Sequence, residues 1–222
     1  MVILINPENK EETLSNMSPV DGNYVLSVNP DESALHTKEP LKAPCGVCAS
    51  RNLEPTARNA FIITSVDGSN VGEPLHYGQN FALRTTDGFM SHLYLTSEQK
   101  TFLKRSKKSN LQDVSLTDQL SYQNCWQFIY LDQQLRLEHE GLPVLANTKL
   151  LIAHTKTNQC LAVLRKHVLW TLLGKECEIT AHTFLNGHKA EDNENHWIVV
   201  TGSPSEGTNS MFDRPLISSH VH

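Results

Sequence analysis

The sequence has no long apolar run. Its opening Met1-Val2-Ile3-Leu4-Ile5 meets Asn6-Pro7 at once, too short for the apolar stretch of a secretory signal. Nothing elsewhere approaches the roughly 20 apolar residues that cross a bilayer, so no membrane role is expected. A surplus of cations is missing too: 19 Lys and Arg against 24 Asp and Glu leave a formal charge of -5. Nucleic-acid phosphates are bound through Lys and Arg, so a chain of that sign is a poor general nucleic-acid binder. Cysteine is sparse and odd in number, five residues (Cys45, Cys48, Cys125, Cys160, Cys177) without a framework spacing. Reduced thiols in a cytosolic compartment are the economical expectation, and the sequon Asn16-Met17-Ser18 then means little. With 19% charged and 39% hydrophobic residues, composition excludes collagen, coiled coil and wholesale disorder. The 222 residues suit one large domain or two small ones.

Catalytic signatures are also scarce. No paired carboxylates, nucleophile elbow or nucleotide fingerprint occurs. Gly202-Ser203-Pro204-Ser205-Glu206-Gly207-Thr208 has P-loop glycine spacing but no Lys before its Thr. Cys45-Gly46-Val47-Cys48 places two thiols at zinc spacing, yet a structural zinc wants four ligands, and no second such pair is near. The expectation is therefore no catalytic residue, no metal and no cofactor, with the cysteines buried on a strand.

What the sequence does have is many short strands. Segments of four to eight residues alternate apolar with polar and end in Gly, Pro, Asn, Asp or Ser. Tyr24-Val25-Leu26-Ser27-Val28, Phe81-Ala82-Leu83-Arg84-Thr85 and Trp197-Ile198-Val199-Val200-Thr201 are examples. Residues 97–108 and 161–173 tempt a helix assignment; the second holds His167-Val168-Leu169-Trp170-Thr171, rich in β-formers, and reads ambiguously. The pattern also repeats. Gly72/Gly141, Pro74/Pro143, Leu75/Val144, Phe81/Leu150 and Leu83/Ile152 share an offset of 69, and Asn124-Cys125-Trp126 matches Asn195-His196-Trp197 at 71. A third copy runs from Val2-Ile3-Leu4 to Asn59-Ala60-Phe61. Each unit opens with an alternating strand, offers two more, and closes on Asn-x-aromatic. Three units of four strands predict a β-trefoil with pseudo-threefold symmetry over residues 1–202, followed by a flexible tail, 203–222. Phe61, Phe81, Trp126, Leu150 and Trp197 are the predicted core. A ligand-stacking role for Phe61, Trp126 and Trp197 is the alternative for those rings.

These residues carry a resemblance. Leu150-Leu151-Ile152-Ala153-His154-Thr155-Lys156-Thr157-Asn158-Gln159-Cys160-Leu161 is similar to the MIR-type repeat, in which a strand ends in His-x-x-Thr, turns tightly and resumes with Leu. Arg58-Asn59-Ala60-Phe61-Ile62-Ile63, Tyr77-Gly78-Gln79, Leu135-Arg136-Leu137-Glu138 and His196-Trp197-Ile198-Val199-Val200-Thr201-Gly202 together resemble the cilia- and flagella-associated protein 161 family. The resemblance implies a non-enzymatic microtubule inner protein of the motile axoneme, bound to the luminal wall of doublet microtubules beside tubulin (α/β) and neighbouring microtubule inner proteins. A carbohydrate- or protein-binding trefoil module is the alternative function.

One surface feature fits a partner. Gln99-Lys100-Thr101-Phe102-Leu103-Lys104-Arg105-Ser106-Lys107-Lys108-Ser109-Asn110 holds five cations and no anion. It reads either as a solvated loop or as a contact for an acidic partner such as tubulin. Lys100, Lys104, Arg105, Lys107 and Lys108 would steer, and Phe102, Met211, Phe212 and Ile217 would anchor.

Overall fold

The computed structural model describes residues 1–8, 22–31, 40–69, 72–87 and 92–201. Among these residues twelve strands follow in chain order: β1 (Val2–Asn6), β2 (Tyr24–Asn29), β3 (Cys45–Ser50), β4 (Phe61–Ser65), β5 (Asn80–Thr85), β6 (Tyr94–Ser97), β7 (Gln112–Thr117), β8 (Trp126–Tyr130), β9 (Lys149–His154), β10 (Gln159–Thr171), β11 (Gly174–Ala181) and β12 (Trp197–Thr201). Helix among the described residues is limited to the single turn Arg136–His139 and two 3-10 turns.

The strands form because their side chains alternate. Val2 and Leu4, Leu26 and Val28, Phe81 and Leu83, Leu150 and Ile152, and Trp197 and Val199 point to one interior cluster, with the residues between them on the other face. Phe61, Phe81, Trp126, Leu150 and Trp197 are all 0% exposed and lie in that cluster. Fully burying a side chain of this size contributes roughly 1.5–3 kcal/mol, so the closed interior is the main favourable term. Two small clusters sit on the outer faces, one around Ile3, Val25 and Val200 and one around Leu151, Ala153 and Cys160.

The predicted β-trefoil of three four-stranded units is corrected. All twelve strands belong to one antiparallel sheet, in which ten close into a barrel: β11, β3, β2, β1, β12, β9, β8, β5, β6 and β7, with β7 pairing back to β11. The ladder crosses every boundary that the repeat would draw, β1 to β12, β9 to β8, and β3 and β11 to β7. The copies are also unequal, since β6 has 4 residues and β10 has 13. Strand β4 meets β1 through one registered pair, Val2 with Phe61, while five pairs join it to β5. The physical reason is edge satisfaction: separate four-stranded units would leave unpaired N–H and C=O rows, and continuous closure removes them.

Residues 161–173, ambiguous in sequence, lie within or just beyond β10, which pairs with β11 across a register shift between Leu164 and Val168. Arg165 stands in that bulge and donates to the Gly22 and Pro7 carbonyls and to Asn6 Oδ1 at 2.8–2.9 Å, tying the hairpin to β1.

Candidate functional site

The basic segment leaves β6 at Ser97 and returns at Gln112, the start of β7. It is a connection, not the helix that residues 97–108 suggested, and it is built. Thr101 N–H donates to the Lys104 carbonyl at 3.0 Å, and Lys104 N–H to Thr101 Oγ1 at 3.0 Å. Ser106, 2% exposed, is the hub: its N–H reaches the Leu111 carbonyl, its Oγ accepts from Leu111 N–H, and it meets Ser109 Oγ at 2.7 Å. Asn110 takes the left-handed φ of 56° that closes the turn, a conformation Asn tolerates.

The strongest tether comes from elsewhere in the chain. Glu178 on β11, 4% exposed, accepts from Lys108 N–H and Ser109 N–H at 2.8 Å each. A buried carboxylate holding two backbone amides is a strong, charge-assisted arrangement, and it fixes where the flanking lysines project. The alternating pattern around Ile179 reads as a strand and by itself gives Glu178 no tethering role. The signal was there: Glu176 and Glu178 sit two apart on one strand, hence on one face, amid apolar neighbours.

Lys100, Lys104, Arg105, Lys107 and Lys108 are all exposed, as are Phe102 at 84% and Leu103 at 90%. Lys104 Nζ pairs with Glu98 at 2.5 Å, and the Arg105 guanidinium lies 5.4 Å from the Phe102 ring centre. Among the described residues, Lys100, Arg105, Lys107 and Lys108 have no ion-pair partner. The segment thus presents four exposed cations without an ion-pair partner among the described residues, around two bare apolar side chains. Met211, Phe212 and Ile217 lie outside the described residues.

A cavity of about 910 Å³ lies apart from this segment and is lined by Tyr77, Tyr130, His139, Leu142, Leu145 and His196 among others. Tyr130 and His139 stack with centroids 3.6 Å apart, and Tyr77 stands edge-on to Tyr130 at 5.6 Å. Glu191, which lines it, is paired with Arg136 at 2.7 Å. Burial holds the His196 imidazole below its ordinary value.

The remaining sequence candidates are tied to the frame. His154 bonds Thr157 Oγ1 through Nδ1 at 2.8 Å and the Gln123 carbonyl through Nε2 at 3.0 Å, so it shapes the β9–β10 turn. Cys45 faces the barrel interior with Val47 and Ala49, whereas Cys48 contacts Glu176 at 3.0 Å and Arg58 at 3.1 Å. Residues three apart on a strand face opposite sides, so these two thiols do not converge on one metal. Burial pushes the Cys45 thiol up to about 11 and raises Cys48 as well. All five cysteines are free. Asn59, Asn124 and Asn195, each buried, donate from their side-chain amides to backbone carbonyls, and Asn124 and Asn195 share the Leu95 and Leu161 carbonyls with the Trp that follows. Trp126 and Trp197 donate to the Leu95 and Leu161 carbonyls at 3.0 and 2.9 Å, as core rings with a satisfied polar handle.

The SDF2-like protein from Arabidopsis thaliana has a similar structure, with a TM-score of 0.58 at 15% identity over 89% of this chain and 91% of that one. A likeness at that identity shows the fold alone. Cilia- and flagella-associated protein 161 of Danio rerio is 47% identical over 194 residues, 85% of this chain and 64% of the relative. The Bos taurus protein of the same name is 44% identical over 215 residues, 96% of this chain and 66% of the relative. The chain thus spans a little under two thirds of the length of these curated relatives. The model of the cilia- and flagella-associated protein 161-like domain matches residues 1–202, and the chain belongs to that family.

Proposed function

We propose that this chain is a non-catalytic structural component of the motile axoneme, held on the luminal wall of doublet microtubules and supporting the beating of cilia and flagella. Its partners are tubulin (α/β) and neighbouring microtubule inner proteins, and it acts without nucleic acid, membrane, metal or cofactor. The observation that carries this reading is family membership over residues 1–202. The basic segment supports it: a chain of net charge -5 sets five exposed cations on one tethered connection, with Phe102 and Leu103 bare beside them. An acidic protein wall is the complement of such a surface. Each exposed pair contributes only about 0.2–1 kcal/mol, so the cations orient the docking while apolar contacts retain it.

Localisation of a tagged copy in ciliated cells tests the reading. Signal along the axoneme that resists detergent and moderate salt is the expected result. Diffuse cytoplasmic signal, or glycan-array binding abolished by substitutions at Tyr77 and Tyr130, would replace it with a carbohydrate-binding role for the large cavity.

A further inference from the structure

We infer that a second groove, beside the basic segment, is a receptor for the carboxylate side chains of an acidic peptide. This deepens the function proposed above and rests on it. The groove encloses about 480 Å³ where the β9–β10 turn, the end of β11 and the start of β7 meet, and among the described residues no acidic one lines it. Lys100 and Lys156 stand on its rim with His182, and Gln99, Gln159 and Thr157 supply further polar groups. In a chain with more Asp and Glu than Lys and Arg, an acid-free groove with two ammonium groups is a departure that calls for a partner of opposite charge.

The walls are preorganised. Gln112, 7% exposed, donates to Ser97 Oγ at 2.8 Å and Thr157 Oγ1 at 2.9 Å, linking β6, β7 and the β9–β10 turn. Asn158 takes a φ of 51° and its N–H returns to the His154 carbonyl at 2.8 Å, which fixes that turn and so the position of Lys156. Lys156 Nζ lies 3.8 Å from the centre of the Tyr122 ring, leaving its remaining N–H groups for an incoming anion. The His182 ring packs edge-on to Phe184 at 4.7 Å, and burial and then the charge of Lys100 hold its imidazole below the ordinary value. At neutral pH the positive charge of the groove therefore comes from Lys100 and Lys156, with His182 as a neutral hydrogen-bonding ring.

A peptide suits the site better than a phosphate. Phosphate sites commonly combine lysine with guanidinium forks or nests of backbone amides, and here two lysines stand on separate elements with side-chain amides between them. Those amides match a peptide backbone, and Phe102 and Leu103 on the adjoining segment offer it an apolar neighbour.

Fluorescence anisotropy of labelled hexaglutamate against the full chain tests the inference. Binding that weakens with salt, and weakens a further 2- to 30-fold, roughly, in the double variant Lys100→Gln/Lys156→Gln, is expected from two contacts of this class. Both side chains are exposed, so the melting temperature stays unchanged, and Lys166→Gln serves as a control without effect. Equal binding by the double variant overturns the inference, as does displacement by inorganic phosphate or preference for a single-stranded oligonucleotide. The microtubule reading fails separately. A chain that pellets with microtubules but ignores hexaglutamate loses the groove alone. One that binds hexaglutamate through Lys100 and Lys156, yet does not pellet, keeps the groove and loses the microtubule partner.

Discussion

Two buried glutamates on β11 carry unequal duties. Glu176, 3% exposed, accepts from Arg58 at 2.7 Å, Thr171 at 2.8 Å and Cys48 at 3.0 Å. Burial works to raise its carboxyl, but the bonds from Arg58, Cys48 and Thr171 outweigh it and hold the group below the usual range. Removing one partner of a buried pair leaves the other uncompensated, at a cost of about 3–5 kcal/mol. Arg58 is 19% exposed, so Glu176→Gln should lie at the lower end, about 3 kcal/mol by urea unfolding. Glu178 serves the basic segment instead. Glu178→Gln strands one of two backbone amides, at about 1–3 kcal/mol, and should speed tryptic cleavage at Lys104, Arg105, Lys107 and Lys108 while the barrel remains folded. Unchanged cleavage kinetics would mean that the segment holds its shape without that tether.

Elements were legible to the extent that their pattern was local. Strands such as β2, β5 and β12 fall where alternation placed them, because inward residues such as Phe81 and Leu83 recur at period two, whereas the far half of β10 had read ambiguously. The Asn-x-aromatic closings were legible as well, and Trp197→Ala should cost roughly 3–5 kcal/mol in chemical unfolding, since its ring is wholly buried. How the strands pair was not legible. Whether β3 and β11 meet β7 is decided by loop lengths and edge satisfaction, which repeat arithmetic does not encode, and the even division into three units therefore failed. The bulge at Arg165 and the tether from Glu178 were hidden for the same reason, each joining residues far apart in sequence. The segment 97–108 misled as a helix because its lysines and serines carry no strand signal, and its fixed form comes from Ser106 and Glu178. The β10–β11 hairpin exposes Trp170 at 76%, with Leu172 and Leu173 also bare, a surface that no sequence pattern announced.

Among the described residues, protonation of the buried histidines acts in one direction, and only Asp113, raised by burial, opposes it at acid pH. Burial holds His154, His182 and His196 below the ordinary 6.5. Above that value both folded and unfolded imidazoles are neutral. As pH falls through 6.5 the unfolded chain takes up protons first, so stability declines until the folded values are passed. Glu176 and Glu191, held low, add a second loss below their ordinary 4.5. Melting temperature should therefore be flat above neutrality and fall on acidification from about pH 6.5, and a rise between pH 7 and pH 5 would contradict this assignment. The proposed partner of the folded barrel is the microtubule wall. Microtubule co-sedimentation of the wild-type chain and of Lys104→Glu/Arg105→Glu/Lys107→Glu/Lys108→Glu tests it most directly. The account predicts pelleting by the wild type and roughly tenfold weaker association of the variant, most visible at low salt and without a lower melting temperature. A variant that pellets as well as the wild type would contradict it.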